Sequence, residues 1–245
     1  MGVTKVAYPS VEEREAMGLE ARDRAPLSGH WSLDIDGVCS LEVRWIFPGR
    51  LATVVAGWFG RFSAQTVTVE DVYLVDPRLP GLSVKVRGRR ALEVKAYHGS
   101  PGLLEVAGRA SGRLESWQKW SFPCDPASQG SGDPAGWRTL RKRRRISRFP
   151  LVGGPARMGA PGPGETGCAA ELAEFDTLGE DWWTLGFEAT GPADALRGQL
   201  EAAAALVFAQ ALPGGVELSM DDSTSYAQWL RGQSSALDSS TPSGK

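Results

Sequence analysis

The clearest pattern in the sequence is a strict alternation of apolar and polar residues around the stretch LEVRWIF. The apolar positions are Leu41, Val43, Trp45 and Phe47. The polar positions are Ser40, Glu42 and Arg44. A period of two predicts a β-strand with one buried face and one charged face.

The next segment changes to a helical period. In PGRLATVVAGWFGRF, apolar residues recur at spacings of three and four from Leu51 to Phe62, which is typical of an amphipathic helix. The period then returns to two in EDVYLVD and in GLSVKVRGRRALEVKAY, where two alternating runs flank a turn at Gly88 to Arg90. These stretches predict a strand followed by a β-hairpin.

Further strands and one helix are predicted in the second half of the chain. The predicted strands are GRLESWQKWSF, WRTLRKRRRISRFPL, CAAELAEFDTL and DWWTLGFEATG, of which the last two form an antiparallel pair. Between them, PCDPASQGSGDPAG and GGPARMGAPGPGETG are rich in Gly and Pro and predict loops. The stretch PADALRGQLEAAAALVFAQAL predicts a helix with Pro192 in its first turn and Pro213 after its end.

Together these elements predict an α+β fold that is mainly β. Seven or eight short strands, with a helix after the first strand and a helix near the C-terminus, suggest an antiparallel barrel or a strongly curved sheet. We expect one domain over residues 31–230. Residues 1–30 are predicted to be a loosely ordered extension, and residues 231–245 a flexible tail.

Composition narrows the class of protein. The chain has 245 residues, a net charge of −2 and 42% hydrophobic residues, which is enough for one large domain with its own core. Its three cysteines show no C-x-x-C spacing, so neither a disulfide framework nor a cysteine zinc site is indicated. We expect a soluble, cytoplasmic protein without a signal peptide or a membrane span, because no long apolar run occurs.

The polar faces of the predicted strands carry many charges. The bases on them are Arg44, Lys85, Arg87, Lys95, Arg113 and Lys119, and residues 141–148 add six more. The acids are Glu42, Glu93 and Glu115. If the sheet closes around these residues, its lumen would be a positive tunnel able to bind phosphate oxygens. The same alternation also fits an ordinary sandwich with its charged face in solvent.

The order of these motifs resembles the CYTH superfamily, the triphosphate tunnel metalloenzymes, which includes thiamine triphosphatases, inorganic triphosphatases and class IV adenylyl cyclases. The resemblance extends from about residue 40 to residue 230 and implies a closed eight-stranded antiparallel barrel around a phosphate-binding tunnel. The matching motifs are E-x-E-x-K at Ser40, Glu42 and Arg44; D-x-Y at Asp71 and Tyr73; R-x-R at Lys85 and Arg87; the T-L-K lysine at Lys95; K-x-R at Lys142 and Arg144; a late E-x-E at Gly186 and Glu188; and S-Y-x-x-L-L at Ser225, Tyr226, Trp229 and Leu230.

With the charge pattern, this resemblance implies specific roles. Glu42 and Lys95 would be catalytic, and Glu42 and Glu188 would hold Mg²⁺ or Mn²⁺. The phosphate-binding residues would be Arg44, Lys85, Arg87, Arg113, Lys119, Lys142 and Arg144. A register shift of one residue would instead turn Arg141, Arg143 and Arg145 inward.

The metal site is expected to be weakened. Ser40 and Gly186 stand where the family has acids, and a hard divalent ion needs several oxygen ligands. Glu171 or Glu174 could contribute a further carboxylate.

The leading functional hypothesis is a divalent-metal-dependent phosphohydrolase that acts on an organic or inorganic tri- or diphosphate, bound as a phosphorylated small molecule. One alternative is a non-catalytic anion-binding module that has lost part of its metal site. Another is an enzyme retargeted to a different phosphorylated metabolite, such as a prenyl diphosphate, or to a carboxylated one. Trp117 could stack on an organic group of the ligand. The near-neutral charge argues against nucleic acid as the partner, and a homodimer is left open.

Overall fold

The computed structural model describes residues 37–62, 64–124, 136–150 and 167–239. The predicted extension at residues 1–30 and most of the two predicted loops lie outside these ranges. The described elements are β1 (Val38–Pro48), α1 (Thr53–Phe59), β2 (Gln65–Leu74), β3 (Leu82–Arg87), β4 (Ala91–Gly99), β5 (Leu103–Val106), β6 (Ala110–Arg113), β7 (Glu115–Pro123), β8 (Trp137–Pro150), β9 (Gly167–Thr177), β10 (Glu180–Thr190), α2 (Leu196–Val207) and α3 (Tyr226–Ser239).

Eight strands close into one antiparallel barrel in the order β1-β10-β9-β8-β2-β3-β4-β7. β5 and β6 form a separate two-stranded sheet. The closed eight-stranded barrel, the helix after the first strand and a mainly β, α+β fold are therefore confirmed. The predicted hairpin is β3 with β4, and the predicted late pair is β9 with β10.

One predicted strand is wrong in its extent. The stretch GRLESWQKWSF is divided between β6, which ends at Arg113, and β7, which begins at Glu115. Leu114 between them is fully buried, and its backbone N–H donates to the carbonyl oxygen of Gly102 at 3.0 Å. This bond ties Leu114 to Gly102, just before β5, so the chain leaves the small sheet here. The alternation of inward and outward side chains therefore does not continue from Arg113 to Glu115.

The helices also differ in detail from the sequence expectation. α2 begins at Leu196, four residues after Pro192. α3 was not predicted, although Tyr226, Trp229 and Leu230 have helical spacing, and it continues past residue 231, where a flexible tail was expected. No helix in the described part of the chain is both long and apolar enough to cross a membrane.

The main hydrophobic core lies outside the barrel, where the apolar faces of β1, β9 and β10 pack against α1 and α2. Trp45 of β1 is fully buried there and donates its indole N–H to the carbonyl oxygen of Ser111 at 2.9 Å. Since this core takes one face of β1, the opposite face, with Glu42 and Arg44, turns into the lumen.

A smaller apolar cluster closes one end of the barrel. Ile46, Tyr73, Leu140 and Phe175 project inward from four strands and pack against Leu230 of α3. Tyr226 and Trp229 of the same helix pack against this cluster. α3 therefore forms a plug beneath the charged part of the lumen.

Candidate functional site

The barrel interior contains a cavity of about 60 Å³ that is lined by side chains from all eight strands, with charged side chains from every strand except β2. This exceeds the roughly 10–15 Å³ that one water molecule needs. The lining bases are Arg44, Lys85, Arg87, Lys95, Lys142 and Arg144. The lining acids are Glu42, Glu115, Glu171 and Glu188. The alternative of a sandwich with these charges in solvent is therefore wrong.

The register of β8 decides which arginines enter this cavity. Lys142 and Arg144 line it. Arg141 and Arg143 lie on the outer face, with 67% and 59% of their side chains exposed. The predicted inward placement of 142 and 144 is therefore the one that the structure shows.

Asp71 is the centre of the largest group of ion pairs. Its carboxylate is fully buried and lies 3.2 Å from Lys142, 3.2 Å from Arg87 and 3.6 Å from Lys85. Burial would raise the pKa of Asp71, but Lys85, Lys142 and Arg87 hold it well below its usual range. Glu93 joins the same group through Lys85 at 3.2 Å and Arg87 at 3.1 Å. We call these five residues the Asp71 cluster.

Within the Asp71 cluster, Lys142 is wholly enclosed. Its side chain is 1% exposed, and Nζ donates to the Tyr73 hydroxyl at 2.9 Å. Nζ also lies 3.4 Å from the centroid of the Tyr226 ring. Burial lowers the pKa of Lys142 well below its usual value. The residue therefore joins β2, β8 and α3 and offers little surface to a ligand.

Glu171 is held between two arginines. Arg44 Nη1 lies 3.0 Å from its Oε1, and Arg144 Nε donates to its Oε2 at 2.6 Å. Burial would raise the pKa of Glu171, but Arg44 and Arg144 lower it to about 2. Arg44 also donates to the Thr184 hydroxyl at 2.9 Å and stacks on the Tyr226 ring at 4.5 Å. Both guanidinium groups are thus fixed beside the cavity.

Glu42 and Glu188 face each other on neighbouring strands, β1 and β10. Lys95 Nζ donates to Oε1 of both carboxylates, at 3.4 Å in the case of Glu188. Burial lowers the pKa of Lys95, but Glu188 and Glu42 raise it above its usual value, so the amine stays charged. The Ser40 hydroxyl donates to Glu42 at 2.7 Å, and Lys119 lies 3.9 Å from Glu188.

The residues present do not fit the predicted Mg²⁺ or Mn²⁺. Such an ion usually binds one or two free carboxylates and completes its shell with water and phosphate oxygens, whereas the Lys95 ammonium already lies between Glu42 and Glu188. Glu171 is already paired with Arg44 and Arg144. Glu174 pairs with Arg143 and Arg145, which do not line the cavity. Among the described residues, no group of three or more His, Cys, Asp or Glu side chains could hold a metal ion.

Glu115 lies directly opposite Glu42 on β7. Its buried carboxyl group accepts a hydrogen bond from the Trp117 indole at 3.1 Å. Burial raises the pKa of Glu115. The alternation placed Glu115 and Trp117 on the charged face of their strand, and the structure brings both to the cavity wall.

Arg113 and Lys119 were both predicted to bind phosphate from the charged face of one strand, but the structure places them on two different strands. Lys119 is on β7, half-buried near Glu188. Arg113 is on β6, pairs with Leu103 in the small sheet and is exposed. The inward placement of Arg113 is therefore wrong, because the chain changes sheet at Leu114.

Sequence reasoning assigned no firm role to Asp71, Tyr73, Glu171 and Tyr226, which hold the bases in place. Asp71, Tyr73 and Tyr226 were matched only as motif residues. The inward position of Glu171 could have been found in AELAEF, because a period of two places Glu171 on the same strand face as Phe175, which points into the barrel. Which acid meets which base depends on strand pairing, which the alternation does not contain.

Several solved structures resemble this chain at low sequence identity. A Pyrococcus horikoshii protein has a TM-score of 0.42 at 14% identity, covering 79% of this chain and 99% of that one. The RNA triphosphatase of S. pombe has a TM-score of 0.41 at 9% identity, covering 82% and 88%. An adenylyl cyclase-like protein from Hippeastrum, described as having a dominant triphosphatase activity, has a TM-score of 0.37 at 11% identity, covering 73% and 91%. Neither a protein-family model nor a curated protein matches the sequence.

Proposed function

We propose that the chain binds the di- or triphosphate group of a small molecule in its tunnel and hydrolyses it. The observation that supports this is the convergence of six bases from four strands on one cavity inside the barrel. Lysine and arginine pair strongly with phosphate oxygens, and the low-dielectric walls of a lumen strengthen that attraction.

Without Arg113, which lies in the separate small sheet, the bases predicted to act in the tunnel divide into two groups by accessibility. Lys85 and Lys142 have side chains at most 9% exposed and are committed to Asp71. The remaining bases keep 15–30% of their side chains exposed and can turn a donor toward a ligand. These ligand-facing bases are Arg44, Arg87, Lys95 and Arg144, which line the cavity, and Lys119, which lies beside Glu188 at its edge.

In this proposal, hydrolysis depends on fixed positive charge around the reacting phosphate. Arg44 and Arg144 are oriented by Glu171 before the ligand arrives, so little reorganisation is needed as charge develops. Lys95 neutralises a phosphate oxygen, and the Glu42 carboxylate beside it orients the attacking water. No step is assigned to a metal ion, because the carboxylates present do not fit one.

The test is a panel of phosphorylated substrates. Phosphate release from tripolyphosphate, nucleoside triphosphates, thiamine triphosphate and prenyl diphosphates is measured with Mg²⁺, with Mn²⁺ and with EDTA. Arg144→Met should lower kcat/KM by about tenfold or more, since a charge-assisted bond contributes roughly 1.5–3 kcal/mol. Arg143→Met, on the outer face of the same strand, is the matched control and should leave it unchanged. If no substrate of the panel binds and none releases phosphate, the proposal is refuted.

A second candidate function is anion binding without turnover. The ammonium of Lys95 between Glu42 and Glu188 favours it, because the predicted metal pair is not free to hold a metal. Tight binding of a panel member without phosphate release would select this candidate. If release does occur, Glu42→Gln should reduce it, and turnover unchanged by that variant would exclude any catalytic role for Glu42.

A further inference from the structure

We propose that the Lys95 ammonium takes the place of a divalent ion between Glu42 and Glu188, so that the tunnel binds polyphosphate without a metal. This inference rests on the proposed function. Nζ donates to Oε1 of both carboxylates. An ammonium has three donors, so one remains for a phosphate oxygen, and Lys95 joins the two acids to the ligand as a bridging metal ion would.

The charge balance of the site supports this assignment. Two carboxylates directly opposite each other on adjacent strands repel, and a cation between them removes that repulsion. Lys95 lies there, and Lys119 adds a second positive charge 3.9 Å from Glu188. The two carboxylates are therefore balanced by two ammonium groups. A divalent ion at the same point would have to displace one of them and would be repelled by the other.

One further carboxylate adjoins the pair: Glu115 lies opposite Glu42 on β7, and its Oε2 already accepts a hydrogen bond from the Trp117 indole. Among the described residues, these acids do not form a group of three that could hold a metal ion. At Gly186, a Cβ atom would lie 3.0 Å from the Val43 carbonyl oxygen and 3.1 Å from Cζ of Arg44, so the guanidinium occupies the space that an acidic side chain would need. Ser40 directs its hydroxyl proton to Glu42. A divalent ion can bind through two carboxylates with water and phosphate oxygens, but Lys95 Nζ already bonds to both Glu42 and Glu188, so the ion would have to displace the ammonium.

The first experiment titrates Mn²⁺ into the free protein and follows the unbound ion by electron paramagnetic resonance. The wild type should bind no Mn²⁺ at this site. Lys95→Met should bind Mn²⁺ at least about tenfold more tightly, since it frees both carboxylates. Adding Glu42→Gln to Lys95→Met should abolish the gain. Lys119→Met, which removes an equal charge but no bridge, should gain less.

Two results would overturn the inference. One is Mn²⁺ binding by the wild type that Glu42→Gln removes. The other is a Lys95→Met protein with an unchanged circular dichroism spectrum that still binds no Mn²⁺. Lys95→Gln repeats the test in case the methionine variant does not fold.

The second experiment needs no variant. Binding of tripolyphosphate to the wild type is measured by calorimetry in EDTA and again after Mg²⁺ or Mn²⁺ is added. Binding in EDTA supports the inference, and binding that appears only with the metal overturns it. If tripolyphosphate does not bind in either condition, the proposed function fails, and the Mn²⁺ titration of the free protein decides the inference alone.

Discussion

Lys142 lies over the ring of Tyr226, with Nζ 3.4 Å from the ring centroid. The lysine belongs to β8 and the tyrosine begins α3, so this contact joins the barrel wall to the helix that closes one end. Arg44 stacks on the same ring. The plug therefore also positions a base that faces the ligand.

We expect Tyr226→Leu to destabilise the protein by about 2 kcal/mol more than Tyr226→Phe. Phenylalanine keeps the ring under Lys142 and Arg44 and loses the hydroxyl contact with Thr184, at 3.2 Å, which contributes about 1 kcal/mol. Leucine loses the ring as well, and a desolvated cation–π contact contributes up to about 2 kcal/mol. Urea unfolding of both variants measures the difference. Equal stabilities would mean that the ring contact contributes nothing.

Acid should weaken the fold through Glu171. Its pKa falls from 4.5 in the unfolded chain to about 2, although burial opposes this, because Arg44 and Arg144 stabilise the charged form. A group with a depressed folded pKa contributes stability above its unfolded pKa and loses it as pH falls toward the folded value. At roughly 1.4 kcal/mol for each unit of pKa difference, the ionised Glu171 carboxylate contributes about 3 kcal/mol to the free energy of unfolding. This contribution is lost as the pH falls from about 5 to about 2.

Glu171→Gln tests this pH dependence. The variant should be less stable than the wild type at pH 7, because both arginines lose their partner. Its stability should then fall less steeply between pH 5 and pH 3, as urea unfolding at each pH would show. Parallel curves for the two proteins would assign the acid sensitivity to the other tunnel carboxylates.

The fold could be predicted from the sequence because its strands have one apolar face and one charged face. The outer core enforces that division in β1, where Leu41, Val43 and Trp45 pack against helices. α3 escaped prediction because it sits at the end of a polar, Ser-rich segment. Its helical signal consists of three apolar residues, which become significant only when an open barrel end is there to receive them.

The site was predicted less completely than the fold. Alternation located most of the inward-facing bases, but it failed at Arg113, where the buried Leu114 interrupts the strand. It also gave no sign that each of the ligand-facing bases already has a carboxylate partner. The position of Lys95 between Glu42 and Glu188 depends on the closure of β10 and β4 around β1 and β7, which is a long-range property of the barrel.

Gly186→Ala should destabilise the protein by about 1–3 kcal/mol. The added Cβ would lie 3.0 Å from a backbone oxygen and 3.1 Å from the Arg44 guanidinium, and overpacking of this kind is costly. Gly198→Ala in α2 is the control, since nothing lies within 4 Å of its Cβ and alanine is a better helix former by about 1 kcal/mol. The urea concentration at the midpoint of unfolding should fall below the wild-type value for Gly186→Ala and rise above it for Gly198→Ala. A stable Gly186→Ala protein would show that Arg44 moves aside freely.

Arg87→Met should weaken binding of tripolyphosphate about 10- to 100-fold, whereas Arg113→Met should have no effect. Arg87 keeps 30% of its side chain exposed in the lumen, and its loss leaves Asp71 with Lys85 and Lys142, so the barrel should still close. A charge-assisted bond contributes roughly 1.5–3 kcal/mol. The control variant Arg113→Met removes the same charge from the small two-stranded sheet, outside the lumen. Calorimetry at two salt concentrations compares the variants, and the Arg87 effect should persist at higher salt because an enclosed pair is poorly screened. Equal losses in both variants would mean that the anion binds outside the tunnel.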